Sequence, residues 1–128
     1  MDHEEKRQII EYKGSANLFP TWNEDGTKIA YISNQDHDYF GSTDLFIYDM
    51  TDGSVNNIVE GVYSRPTWDE GNIIYSKKAK TPNKLGSKYY DLFKMDLLNQ
   101  KEYRITEDAR AFSPVVGSDS TIYYLATN

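Results

Sequence analysis

The sequence predicts an all-β chain built from a repeated unit of short antiparallel strands. Three observations predict it. Eleven Tyr, five Phe and two Trp make the chain 14% aromatic, and they cluster beside Ile, Leu and Val, the residues that suit a pleated, well-buried strand. No segment sustains the i, i+3, i+4, i+7 apolar stripe of a helix; residues 91–104 come nearest and are broken by Leu97-Leu98-Asn99-Gln100. The third observation is an internal repeat.

Phe19-Pro20-Thr21-Trp22-Asn23-Glu24-Asp25-Gly26 returns as Arg65-Pro66-Thr67-Trp68-Asp69-Glu70-Gly71, and in weaker form as Ser113-Pro114-Val115-Val116-Gly117-Ser118-Asp119. Downstream, Asp44-Leu45-Phe46-Ile47-Tyr48-Asp49-Met50 returns as Asp91-Leu92-Phe93-Lys94-Met95-Asp96-Leu97. The offsets keep step: 46 from Pro20 to Pro66, 48 from Pro66 to Pro114, 47 from Asp44 to Asp91.

Each period holds four strands. The first carries the Pro, which cannot donate to a ladder and so belongs on a sheet edge. Asp25-Gly26 offers the positive-φ residues of a tight hairpin into the second strand, residues 28–33, echoed at 72–76 and 121–126. The third spans 44–50. A turn at Thr51-Asp52-Gly53-Ser54 leads to the fourth, 55–59. Strands two and three are apolar at consecutive positions (Ile29-Ala30-Tyr31-Ile32, Leu45-Phe46-Ile47-Tyr48), the pattern of a sheet covered on both faces. Four-stranded blades stacked radially have that geometry, so the expected fold is a partial β-propeller.

The domain plan follows: a leading outer strand within residues 1–15 (Lys6 to Tyr12), repeat one at 16–61, repeat two at 62–109 and a partial repeat three at 110–128. With 128 residues and propellers of about 4 to 8 blades, these repeats do not close a ring alone. Three arrangements stay open: a piece of a longer propeller, a homodimer in which two chains supply about six blades, or an open array with capped ends.

The run Pro-x-Trp-x-x-Asp-Gly-x-x-Ile-Ala-Tyr-x-Ser followed by Asp-Leu-Phe-Ile-Tyr-Asp resembles the TolB-type, WD-like propeller repeat. It departs from that pattern at Asn23-Glu24, where Ser-Pro is usual, and at Val116, where the Trp is missing. The structural repeat positions are thus Pro20, Trp22, Asp25, Gly26, Asp44, Pro66, Trp68, Gly71, Asp91 and Pro114. The resemblance implies a non-catalytic module binding a protein or cell-envelope partner through its loop face. The alternative it implies is the gating or substrate-access propeller of a prolyl-oligopeptidase-type peptidase or a polysaccharide-degrading enzyme. It also implies an extracytoplasmic setting, although the first twenty residues show no signal-peptide h-region.

Composition narrows the chemistry. The absence of Cys excludes disulfides and thiolate sites, and no run approaches the roughly 20 apolar residues of a membrane span. A net charge of −6 argues against nucleic acid. His3 and His37 are the two His, no Gly-x-Ser-x-Gly elbow is present, and no Gly-rich phosphate loop occurs, so the expectation is no enzyme and no cofactor. Asn34-x-Asp36-x-Asp38 opens like a calcium loop, but Tyr39 and Leu45 stand where Gly and Glu belong; the competing reading is a solvated turn.

The candidate partner-binding residues lie in two loops and one blade connection. Asp36, His37 and Asp38 mark an acidic loop between strands two and three of repeat one. Lys77, Lys78, Lys80, Lys84 and Lys88 mark its basic counterpart in repeat two, with no interleaved aromatics of the kind that stack on bases. Arg65, in the connection between blades, falls on the same face. Juxtaposed acidic and basic loops create a field that orients a polar or anionic partner; a flexible solubilising loop is the competing reading. Trp22 and Trp68, and with them Tyr31, Tyr48, Tyr75 and Tyr123, are expected to pack in the core.

Overall fold

A computed structural model describes residues 8–10, 16–37, 42–79 and 89–127. Among them there is no helix, and ten strands follow in order: β1 (Asn17–Trp22), β2 (Lys28–Ser33), β3 (Asp44–Asp49), β4 (Val55–Glu60), β5 (Thr67–Asp69), β6 (Asn72–Lys78), β7 (Tyr90–Asp96), β8 (Lys101–Arg104), β9 (Ala111–Val116) and β10 (Ile122–Ala126). They form two four-stranded meanders, β1-β2-β3-β4 and β5-β6-β7-β8, and a two-stranded sheet of β9 and β10, all antiparallel. The expected pattern of two blades and a partial third is the observed one. Of the expected leading strand, Gln8, Ile9 and Ile10 are described and carry no strand; the rest lies outside the described residues.

The Pro-bearing strands sit at sheet edges, where a missing ladder donor does least damage. Pro20 and Pro114 also mark irregularities: the β1–β2 register shifts between Leu18 and Thr21, and the β9–β10 register shifts across Ser113 and Pro114. The residue before each Pro, Phe19 or Ser113, has a positive φ, the left-handed conformation that one type of bulge uses. Pro66 instead precedes the short β5.

The first hairpin corrects the two-residue expectation. Asn23 N–H bonds the Lys28 carbonyl and Gly26 N–H bonds the Asn23 carbonyl, so the loop is longer and Gly26 takes positive φ while Asp25 does not. Asp25 works through its side chain, accepting from the Thr27 amide at 3.1 Å and hydroxyl at 2.6 Å. In repeat two, Asp69 pairs with Asn72 directly, and Glu70 takes the positive φ; the missing residue makes that turn tighter.

The sheets stack face against face. Ala30, Ile32, Leu45, Ile47 and Val59 of the first sheet share one buried cluster with Trp68, Ile73, Tyr75 and Phe93 of the second. The first strands converge, β1 touching β5 and β5 touching β9, which is the radial order of a propeller. Trp68 clamps the first junction: it is 9% exposed and its indole N–H donates to the Thr21 carbonyl at 2.9 Å. Trp22, expected in the same role, is 54% exposed, and Tyr123 is 52% exposed. Both lie on sheets at the ends of the described array, where the packing that buries Trp68 has no counterpart.

Candidate functional site

The connection between sheets one and two meets the start of β3 and the end of β6 on one face. Gly61 and Val62 amides bond the Thr43 carbonyl at the first, and Val62 forms a bridge with Lys77 at the second. On this face, between sheets two and three, a groove of about 680 Å³ is lined by Tyr63, Ser64, Ser76, Lys78, Tyr89, Tyr90, Arg110, Phe112 and Thr127. Strand ends build it: Tyr63 and Ser64 precede β5, Lys78 ends β6, Tyr90 opens β7, and Arg110 leads into β9.

Its walls are held from within. The Ser64 hydroxyl accepts from the Ser113 amide at 3.1 Å, and the Ser76 hydroxyl donates to the Ala111 carbonyl, so both serines tie sheet three to sheet two. Tyr63 and Tyr90 meet edge to face with centroids 6.3 Å apart. Burial, then the Tyr63 phenol, push the Tyr90 hydroxyl above its ordinary pKa, so it enters as a neutral donor at neutral pH. The Arg110 guanidinium lies 4.3 Å from the Tyr89 ring centroid, a cation–π contact that holds the charge at the groove wall. Among the described residues, two cations and no carboxylate line the groove, in a chain of net charge −6.

The expected site residues divide. Lys78 lies in the groove. Lys77 belongs to β6, not to a loop: it is buried, its ammonium 2.8 Å from Glu102 and over the Phe93 ring. Glu102 also accepts from the Tyr75 hydroxyl. Arg65 lies over the Phe19 ring at 5.0 Å, joining sheets one and two. Asp38, Lys80, Lys84 and Lys88 lie outside the described residues.

Asp36 and His37 enter a separate network. His37 Nε2 lies 2.9 Å from Asp44, and the Asn57 amide donates to Asp44 at 2.9 Å and to Asp36 at 3.0 Å. Asn34 Oδ1 accepts from the Ala16 amide at 2.8 Å. The first two oxygens of the candidate calcium motif are therefore engaged on separate partners, and no metal-type cluster of acidic or His side chains forms among the described residues.

Sequence reasoning missed Tyr63, Tyr89, Tyr90, Arg110 and Phe112. A signal was present for three of them: Arg110 and Phe112 stand four and two places before Pro114, as Val62 and Ser64 stand before Pro66, so the blade connections recur in register with Tyr63 between.

Radial order, edge-placed Pro strands and a Trp-clamped junction define a propeller-type all-β protein. Among the solved structures it is similar to is that of TolB from Acinetobacter baumannii, with a TM-score of 0.61 at 18% identity over 88% of this chain. The fold is thus TolB-type. The chain spans 26% of that relative's length. No protein-family model matches the sequence, and no curated protein does.

Proposed function

We propose that the chain is a non-catalytic, TolB-like propeller module that binds a protein or cell-envelope partner through its loop face. The observation that carries this reading is the groove between sheets two and three. Its aromatic walls supply large contact area, Lys78 and Arg110 supply charge, and Tyr and Arg are the residues on which interfaces most often concentrate their energy. The partner chemistry that complements it is an acidic segment carrying an aromatic or other apolar side chain. Asp36, on the blade-one side of the same face, disfavours an acidic segment placed there and so sets its orientation.

Fluorescence titration with short acidic, aromatic-bearing peptides against basic peptides of matched length tests this. Binding of the acidic set, weakened at least about tenfold in Arg110→Ala and in Tyr90→Ala, supports the reading. Equal affinity for both sets, or variants that bind as the parent does, contradicts it.

A further inference from the structure

A second groove lies between sheets one and two, each a full four-stranded meander, at the other end of their strands from the loop face. Its volume is about 540 Å³, inside the range of about 300–1,000 Å³ of ligand sites. Three turns build it. The β1–β2 hairpin brings Glu24 and Asp25, the β5–β6 hairpin brings Glu70, and the β7–β8 turn brings Leu97 and Leu98. Trp68 also lines it, and because its indole N–H is committed to the Thr21 carbonyl, what it offers the groove is apolar ring.

The charge of this groove is opposite to that of the first. Lys28 is its one cation among the described residues, and Asp49 lies 3.7 Å from that ammonium. The Thr27 hydroxyl, and after it the Thr27 amide, hold the Asp25 carboxyl below its ordinary pKa. Glu24 and Glu70 are exposed, and neither makes a hydrogen bond or ion pair among the described residues. The four turns at this end of sheets one and two, residues 23–28, 49–54, 69–72 and 96–101, hold seven carboxylates against Lys28 and Lys101. That is nearly the whole of the chain's net charge of −6.

Two of these residues stand where folding alone asks for something else. In repeat one, Thr51 holds the place of Leu98 and donates its hydroxyl to Asp49 within the turn. In repeat two the backbone amides of Leu98 and Asn99 serve Asp96, and the Leu98 side chain, 90% exposed, adds nothing to the turn. Glu70 takes a φ of 56°, a conformation that Gly or Asn adopts at less cost. The groove therefore carries an apolar side chain and a carboxylate that its turns do not need.

We propose that this groove docks a basic segment of a partner protein, in which a Lys or Arg is met by Glu24 and Glu70 and the adjacent apolar side chain lies on Leu97 and Leu98. Charge complementarity selects the cation, and the leucines supply apolar area to bury. The site shares no residue with the groove of the loop face and has the opposite sign, so the two readings stand independently.

Isothermal titration calorimetry of the full chain with a short peptide alternating Arg and Leu tests the proposal. Two control peptides carry Glu in place of Arg and Ser in place of Leu. The expected result is binding of the Arg-Leu peptide, weaker by at least about fivefold for either control and weakened by added salt. Glu70→Asn and Leu98→Ser each lower that affinity at least about fivefold, while the urea midpoint of Leu98→Ser stays at the parent's value and that of Glu70→Asn stays or rises. The site is thereby separated from the stability of the fold. An Arg-Leu peptide that does not bind overturns the proposal, as do equal affinities for the three peptides or variants that bind as the parent does. The loop-face titration, repeated in a Glu24→Gln, Glu70→Asn double variant, is free of this groove, so failure of one reading is distinguishable from failure of the other.

Discussion

Asp91 ties the end of one sheet to the start of the next. Fully buried at the head of β7, it accepts hydrogen bonds from Arg104, the Thr106 hydroxyl and the amides of Asp108 and Ala109. Asp44, its mate one repeat earlier, does the same for His37, Asn57 and the Gly61 amide. Burial by itself raises the Asp91 carboxyl; the hydrogen bonds, led by that of the Ala109 amide, outweigh it and hold the group below its ordinary 3.8. A depressed folded pKa contributes stability that is present above the unfolded value and is lost as pH falls through the folded one. Asp91→Ala is therefore expected to cost about 3 kcal/mol at neutral pH, since it strands a buried set of donors. Urea denaturation against pH checks this: the gap between parent and variant narrows below pH 3.8, and a gap constant down to acid pH contradicts the assignment. The hairpin Asp residues have local partners, Asp25, Asp49, Asp96 and Asp119 each accepting the amide two residues on, so the turn at Asp25 was legible in the sequence although the part its side chain plays was not. The partners of Asp91 and Lys77 were not legible, because they arrive from β8 and the connection after it, more than ten residues away. Lys77 reads as one of a run of loop lysines until β8 brings Glu102 against it.

At the level of the sheets, two Trp residues alike in sequence have different surroundings. Both occupy the same place in the repeat, and the repeat alone puts both in the core. Burial, however, depends on the sheet beyond the strand's own, which the local sequence does not encode; hence Trp68 is clamped onto Thr21 while Trp22 faces solvent. Trp68→Ala is expected to destabilise the monomer by about 3–5 kcal/mol through the lost transfer energy and the cavity left behind. Trp22→Ala is expected to cost less than about 1 kcal/mol. Chemical denaturation with circular dichroism reads both, and equal losses would contradict the asymmetry of the two junctions. The strands themselves were legible nearly to the residue, because consecutive apolar residues bounded by Asp-Gly turns leave little freedom in their placement. The groove was not, since its aromatics come from two separate strand ends and one blade connection that meet only once the sheets stack.

Across the whole molecule, stability rests on neighbours. A four-stranded meander with aromatic side chains on both faces cannot shield them alone, and each stacked sheet covers what its neighbour leaves open. That is why the inter-sheet junctions hold the largest buried groups, Tyr75 and the Ile73–Ile74 pair among them, and why the loop-face groove exists at all: it is the space left where two sheets diverge from a shared inner edge. Radial stacking is the claim on which the groove and the Trp68 junction both depend. The Trp68 indole N–H tests it most directly by nuclear Overhauser spectroscopy. Stacking predicts cross-peaks from that proton to the backbone of Thr21 and Trp22, with slow exchange against solvent. An indole proton that exchanges freely and shows cross-peaks to its own sheet alone would contradict it.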